Sequence, residues 1–281
     1  MRLPLRTLAL LSVIALAFLA VAPPARADMG KPEWSAGDYW VYAVSGQNFG
    51  ATGSGTFRMD VIGLDTTNVA TIDYQTYRVR LQLNVSGATF NGGDAWFRVS
   101  DLALVKQTYN VTFPFFGGSV TIITTVSFNP PLALVWPFAT GGNWSATSSV
   151  TTVIQVLPFG PGSNVNTLSV DFLVSAPATV AVPAGSFDTT PVRMDIGGYV
   201  QTYWAPQAGN YARQEEYNSG SGQVASRELT AYRYAGPGFL GIPLLVWLLI
   251  LLLIVIVVVA VMLKKRNQPM PPPPQYPPPQ P

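Results

Sequence analysis

The sequence predicts an all-β fold: an antiparallel curved sheet or sandwich forming an ectodomain, followed by one C-terminal transmembrane helix. Three observations carry this. Tyr39 to Ala43, Phe57 to Ile62, Tyr77 to Val85, Val120 to Phe128, Ser149 to Val156 and Leu168 to Val174 alternate apolar with polar residues at period two. Gly, Pro, Asn and Asp separate these runs, and no stretch outside the terminal segments keeps a 3.6-residue period for three turns. Leu244 to Leu263 is 20 apolar residues without a polar interruption, long enough to cross the hydrocarbon core at ~1.5 Å per residue.

In chain order, residues 1–27 read as an export signal. Arg2 and Arg6 precede the apolar run Leu8 to Ala22, and Ala25-Arg26-Ala27 is a small-x-small site placing cleavage between Ala27 and Asp28. Residues 28–238 form the predicted extracellular β-domain, which carries three ordered similarities to itself. Trp34 to Trp40 matches Phe138 to Trp144 at an offset of 104, Tyr74 to Leu81 matches Phe187 to Met194 at 113, and Trp96 to Gln107 matches Tyr203 to Gln214 at 107. They predict two duplicated units, 33–114 and 137–217. Residues 239–263 are the span. Lys264, Lys265 and Arg266 stop transfer and by the positive-inside tendency put the C-terminus in the cytoplasm. The tail, 264–281, has nine prolines in its last 13 residues and reads as a solvated polyproline II rod, with Pro273-Pro274-Gln275-Tyr276 matching a WW-type ligand pattern.

Composition excludes much chemistry. The chain has no Cys and no His, so thiol nucleophiles, imidazole bases, disulfides and Cys/His zinc sites are ruled out. Six of the 16 basic residues flank the two apolar ends, and the remaining ten face all 14 acidic residues, a poor match for nucleic acid. Glu215 and Glu216 are adjacent, which on a strand sends them to opposite faces and prevents acid-base pairing. No enzyme activity, cofactor or metal is expected. Asn84, Asn110 and Asn143 begin N-x-Ser/Thr sequons and are candidate glycosylation sites in an exported chain.

Two resemblances add to this. Val182-Pro183-Ala184-Gly185-Ser186-Phe187, followed by Tyr203-Trp204-Ala205-Pro206 and Gly209, resembles a pattern in prokaryotic secreted cell-envelope domains of unknown function, which implies a curved antiparallel sheet akin to periplasmic lipoprotein carriers. Pro237-Gly238-Phe239, the apolar span and Lys264-Lys265-Arg266 together are similar to the PGF-type sorting signals of archaeosortases, which would make the protein archaeal and the span removable. Here 15 residues continue past the basic cluster, so a retained span stands beside that alternative.

Gln107 to Val170 contains no charged residue in 64 positions yet carries many aromatics. Such a stretch shows hydroxyls in place of charges, faces an envelope protein, or lines a groove for an apolar ligand. For the last case the expected lining is Phe113, Phe115, Phe116, Trp136 and Phe159. The expected function is therefore a single-pass surface protein, partnered with the lipid bilayer, whose β-domain is a binding or envelope-structural module; the alternative is a carrier or sensor of a lipid or other apolar ligand. A structural module calls for a solid interior, a carrier for an open cavity of at least roughly 300 Å³.

Overall fold

The computed structural model describes residues 29–46, 53–85, 88–115, 118–157, 160–220 and 222–236. The signal segment and its Ala27/Asp28 site, the Pro237-Gly238-Phe239 motif, the span, the Lys264-Lys265-Arg266 cluster and the tail lie outside the described residues. Residues 1–234 form one compact unit; of the second, 235–281, only Ala235 and Gly236 are described.

The described strands are β1 (Tyr39–Gly46), β2 (Gly53–Val69), β3 (Ile72–Val85), β4 (Ala88–Arg98), β5 (Leu104–Phe115), β6 (Gly118–Asn129), β7 (Asn143–Leu157), β8 (Gly160–Val174), β9 (Ala178–Val182), β10 (Gly185–Asp195), β11 (Tyr199–Ala205), β12 (Asn210–Asn218) and β13 (Gly222–Arg233). All pairings are antiparallel. β9 continues the line of β8 after a break at 175–177, and both pair with β10. β13 returns to β1, with Trp40 opposite Tyr232, and this closes the ring. The architecture is thus a closed barrel of 12 strands, not the open curved sheet or sandwich expected from the sequence. Period-two patterning reports which face of a strand is buried and is silent on whether the first and last strands meet. Their meeting pairs the two edges that an open sheet would expose, and β9 keeps β10 as its one described strand partner.

The seam depends on one glycine. Gly46 ends β1 at φ +144°, and a Cβ there would lie 2.4 Å from the Val224 carbonyl oxygen on β13. Gly46→Ala must separate two backbones at the closure, so it is expected to destabilise the barrel by about 1–3 kcal/mol or more. Gly162→Ala, where a Cβ meets nothing within 4 Å, is the control, expected within about 0.5 kcal/mol of wild type in urea unfolding.

Alternation sets the interior. Trp40, Tyr42 and Val44 on β1 point inward and are buried, as are Met59 and Val61 on β2 and Val79 and Leu81 on β3. Outward side chains form ion pairs: Arg58 with Asp60 on β2 at 2.6 Å, Arg78 on β3 with Asp94 on β4 at 2.6 Å, and Arg193 with Asp195 on β10 at 2.7 Å. Apolar inside and charged outside is the reverse of a bilayer-spanning barrel. The charge-free stretch follows the same rule with hydroxyls outside. Thr112 bonds Thr121 and Thr147 bonds Ser169, each at 3.0 Å across neighbouring strands.

Five successive pairings recur in register. Tyr39 opposite Asp60 recurs as Asn143 opposite Leu173, Val61 opposite Val79 as Val174 opposite Val192, and Val69 opposite Ile72 as Val182 opposite Gly185. Arg78 opposite Trp96 recurs as Pro191 opposite Tyr203, and Phe97 opposite Leu104 as Trp204 opposite Tyr211. The offsets are the 104, 113 and 107 seen in the sequence. Side chains recur with them: the buried Thr76 hydroxyl donates to the Asp65 carbonyl at 3.2 Å, and that of Thr189 donates to the Ala178 carbonyl at 2.7 Å. So does the turn before each run, where the Gly37 amide donates to Val61 O and the Gly141 amide to Val174 O, each at 2.9 Å. β6 and β13 extend the two runs at an offset of 101, with Lys106 opposite Ser127 recurring as Arg213 opposite Glu228 and Tyr109 opposite Thr124 as Glu216 opposite Ala225.

A barrel of about eight strands is filled by its own side chains, and twelve leave room. Part of that room is taken at the end where β11 turns into β12. There Trp34 packs edge-on to Phe97 at 5.3 Å, and Trp136 stacks on Phe138 at 3.8 Å. Both come from the irregular segments that precede β1 and β7. Backbone carbonyls anchor these indoles: Trp34 Nε1 donates to Gly209 O at 2.8 Å and Trp136 Nε1 to Asp101 O at 2.8 Å.

Candidate functional site: a cavity inside the barrel

Beside this aromatic packing the interior opens into a cavity of about 470 Å³. One part of its wall is apolar. Phe57, Leu81 and Leu83 arrive at inward positions of β2 and β3, Phe97 and Leu104 flank the β4–β5 turn, and Phe128 ends the inward row of β6. Leu132 and Leu134 complete this side from the segment after β6. Trp34, Phe172 and Trp204 are shared with the aromatic packing.

The β11–β13 side differs. Thr202, Asn210, Tyr211, Gln214 and Arg227 reach the cavity there. Arg227 occupies an inward place between buried Ala225 and Leu229, stands 5.0 Å over the Phe57 ring and meets Glu216 at 3.5 Å. Tyr42 donates its hydroxyl to the Tyr211 carbonyl at 3.1 Å, and burial holds both phenols well protonated by raising them above the usual tyrosine value. Glu215 lies on the other face, accepting from the hydroxyls of Tyr203 at 3.2 Å and Tyr217 at 3.1 Å. The two glutamates are therefore separated by the sheet, as strand geometry dictates.

A second hollow, of about 710 Å³, lies on the outer wall over the Gly92–Gly93 bulge, lined by Arg58, Arg80, Asp94 and Asn110. It is polar and open. Trp96 Nε1 donates to Asp65 at 3.0 Å on the same outer face, and that bond holds the Asp65 carboxyl below its usual range. Among the described residues no group of three or more metal-ligating side chains comes together.

Of the five residues expected to line an apolar site, Trp136 alone has a described side chain. Trp136 belongs to the aromatic packing: its ring lies 3.8 Å from Phe138 and 5.4 Å from Trp204, and its indole N–H is spent on Asp101. Phe113 and Phe115 have backbones in β5, near its turn into β6, but their side chains lie outside the described residues, as do Phe116 and Phe159. The lack of charge from Gln107 to Val170 marks hydroxyl-faced strands, one of the three readings the sequence left open. The described lining is spread over eleven strands, and its sequence signal was the inward parity of Phe57-Met59 and Leu81-Leu83. Arg227 hid in plain alternation as a charge on an otherwise apolar face. The sequon residues Asn84, Asn110 and Asn143 all sit on outward positions, Asn84 and Asn143 exposed and Asn110 half-buried.

No family model and no curated protein matches the chain. Among solved structures it is similar to a candidate exported protein with a YmcC-like fold from Bacteroides fragilis, at 14% identity and a TM-score of 0.42, over 74% of this chain and 100% of that one. It is also similar to a candidate lipoprotein from Parabacteroides distasonis, at 13% identity and a TM-score of 0.40, again over 74% and 100%.

Proposed function

We propose that the chain is an exported surface protein, anchored by its C-terminal span, whose barrel carries an apolar ligand in the interior cavity. The cavity is the observation that carries this reading. At about 470 Å³ it falls in the range of small-molecule sites, where a purely structural barrel would be filled. Its apolar side offers the driving force. Each methylene moved from water into such a lining contributes about 0.8 kcal/mol, so ten contribute roughly 8 kcal/mol. Association costs about 4–15 kcal/mol, so the chain of a ligand supplies much of the affinity and its polar contacts decide the rest. The signal segment exports the barrel and the span holds it at the bilayer, its source of apolar molecules.

The test is the intact mass of the protein extracted from its own membrane, under native and then denaturing conditions. The expected result is a chain of Asp28 to Pro281, with an adduct that denaturing solvent releases as lipid. Ala95, buried and on the cavity wall, gives the companion variant: Ala95→Phe fills the space and is expected to lose the adduct at a folding cost of about 1–3 kcal/mol. A wild-type protein that never retains an apolar adduct, from any extraction, overturns the carrier reading.

A further inference from the structure

The two registered runs of five strands supply an internal reference for the cavity wall. Where they build the scaffold they agree: Gly37 with Gly141, Thr76 with Thr189, Phe97 with Trp204. At the offset of 107, five matched pairs face the cavity, and three of them diverge. Ala95, Ala103 and Leu104 on the β4–β5 side correspond to Thr202, Asn210 and Tyr211 on the β11–β12 side, with Gln107 and Gln214 alike. The fold tolerates apolar residues at these places, because one run has them. The polar set therefore answers to something other than folding.

That set is rich in donors without acceptors. Thr202 is 4% exposed, and its hydroxyl has no hydrogen-bond partner. Asn210 is 1% exposed; its Oδ1 accepts from the Tyr211 amide at 2.9 Å, which leaves its Nδ2 only the Met59 sulfur at 4.0 Å. Arg227 carries five N–H groups and has two partners on the wall, Glu216 at 3.5 Å and the Tyr211 hydroxyl, fewer than its donors. A buried donor left unmade is costly; Thr202 and Arg227 stand in one row across β11–β13, each in register with Gln214, so an oxygen-bearing group between them satisfies both.

Building on the carrier reading, we infer that the β11–β13 wall is a head-group subsite, and that the ligand is a single-chain amphiphile with a carboxylate head. The chain lies against Phe57, Leu83, Leu104 and Phe128, and the carboxylate accepts from Arg227 and the Thr202 hydroxyl. Arginine binds a carboxylate through two parallel N–H bonds, and the low-dielectric surroundings strengthen the contact. Glu216 stays with Arg227 and orients it.

Three probes of equal chain length separate head from chain: dodecanoate, dodecan-1-ol and dodecyltrimethylammonium, titrated below their micelle concentrations into the full mature chain, stripped of lipid and held in amphipol. Dodecanoate is expected to bind roughly tenfold or more tighter than the alcohol, and the ammonium weakest. Thr202→Val removes a hydroxyl that has no partner in the free protein, so its unfolding midpoint is expected to hold or rise while dodecanoate affinity falls roughly 2–10-fold. Arg227→Gln combined with Glu216→Gln, which leaves no lone charge, is expected to erase the preference for carboxylate and spare alcohol binding. Equal binding of all three probes, or an unchanged preference in Thr202→Val, overturns the head-group subsite and leaves the carrier reading standing. Failure of every probe to bind overturns the carrier reading, and the subsite with it.

Discussion

Trp40→Ala is expected to destabilise the barrel by about 3–5 kcal/mol, a large share of the roughly 5–15 kcal/mol that holds a typical domain together. Trp40 is fully buried, and its Nε1 donates to the Ala208 carbonyl at 2.6 Å. Its ring lies 5.1 Å from that of Trp34, whose own N–H reaches Gly209. Two indoles from the start of the described chain thus clamp the β11–β12 turn, 168 residues away. Truncation removes the ring and also strands a buried carbonyl, because Ala208 is itself fully buried. Trp40→Phe restores most of the area without the donor, so the difference between the two variants isolates the hydrogen bond at about 1–3 kcal/mol. The readout is the urea midpoint by tryptophan fluorescence and circular dichroism. A Trp40→Ala protein within about 1 kcal/mol of wild type would mean that the clamp does not hold the barrel closed.

The same residue shows how far the sequence could be read. Trp40 was visible as half of a self-similarity with Trp144, because aromatic, Gly, Trp spacing survives in a linear string. That Trp40 reaches Ala208 was not visible, since a contact over 168 positions depends on closure. Six strands were legible from alternation. β11 and β12 were foreseen only through the resemblance that Tyr203 to Gly209 carries, and β9 not at all, because five residues broken from β8 at 175–177 give too short a pattern. The cavity was hardest. Apolar residues on one strand face are ordinary core signals, and only the number of strands in the ring turns that core into a hollow. Thr202 and Asn210 carry no mark of a site in the linear sequence, and they stand out only against Ala95 and Ala103 at the matching places.

Raising the pH above about 10 is expected to unfold the protein cooperatively, before its tyrosines have titrated as exposed phenols do. Burial raises Tyr42, Tyr77, Tyr203, Tyr211, Tyr217 and Tyr234 above the ordinary value, Tyr217 and Tyr234 to about 12. For Tyr42 and Tyr211 the charge of Arg227 opposes the shift without overcoming burial. A phenol whose folded pKa is raised contributes stability that is complete below the unfolded value of about 10 and disappears as pH climbs through the folded value. Between those limits the unfolded chain has released the proton and the folded one has not, so each of the buried pair Tyr42 and Tyr211 contributes a loss of about 1.4 kcal/mol per pH unit. Several such groups acting together make the transition steep. Tyrosinate absorbance and loss of the β-sheet dichroism should therefore rise in one step between pH 10 and 12. Tyr42→Phe removes one titrating group and is expected to make that step shallower, although it also gives up the bond to the Tyr211 carbonyl and starts from lower stability at neutral pH. Smooth ionisation centred near pH 10 with the dichroism intact would show that these phenols are open to water, and the closed, dry interior wall would fall with that result.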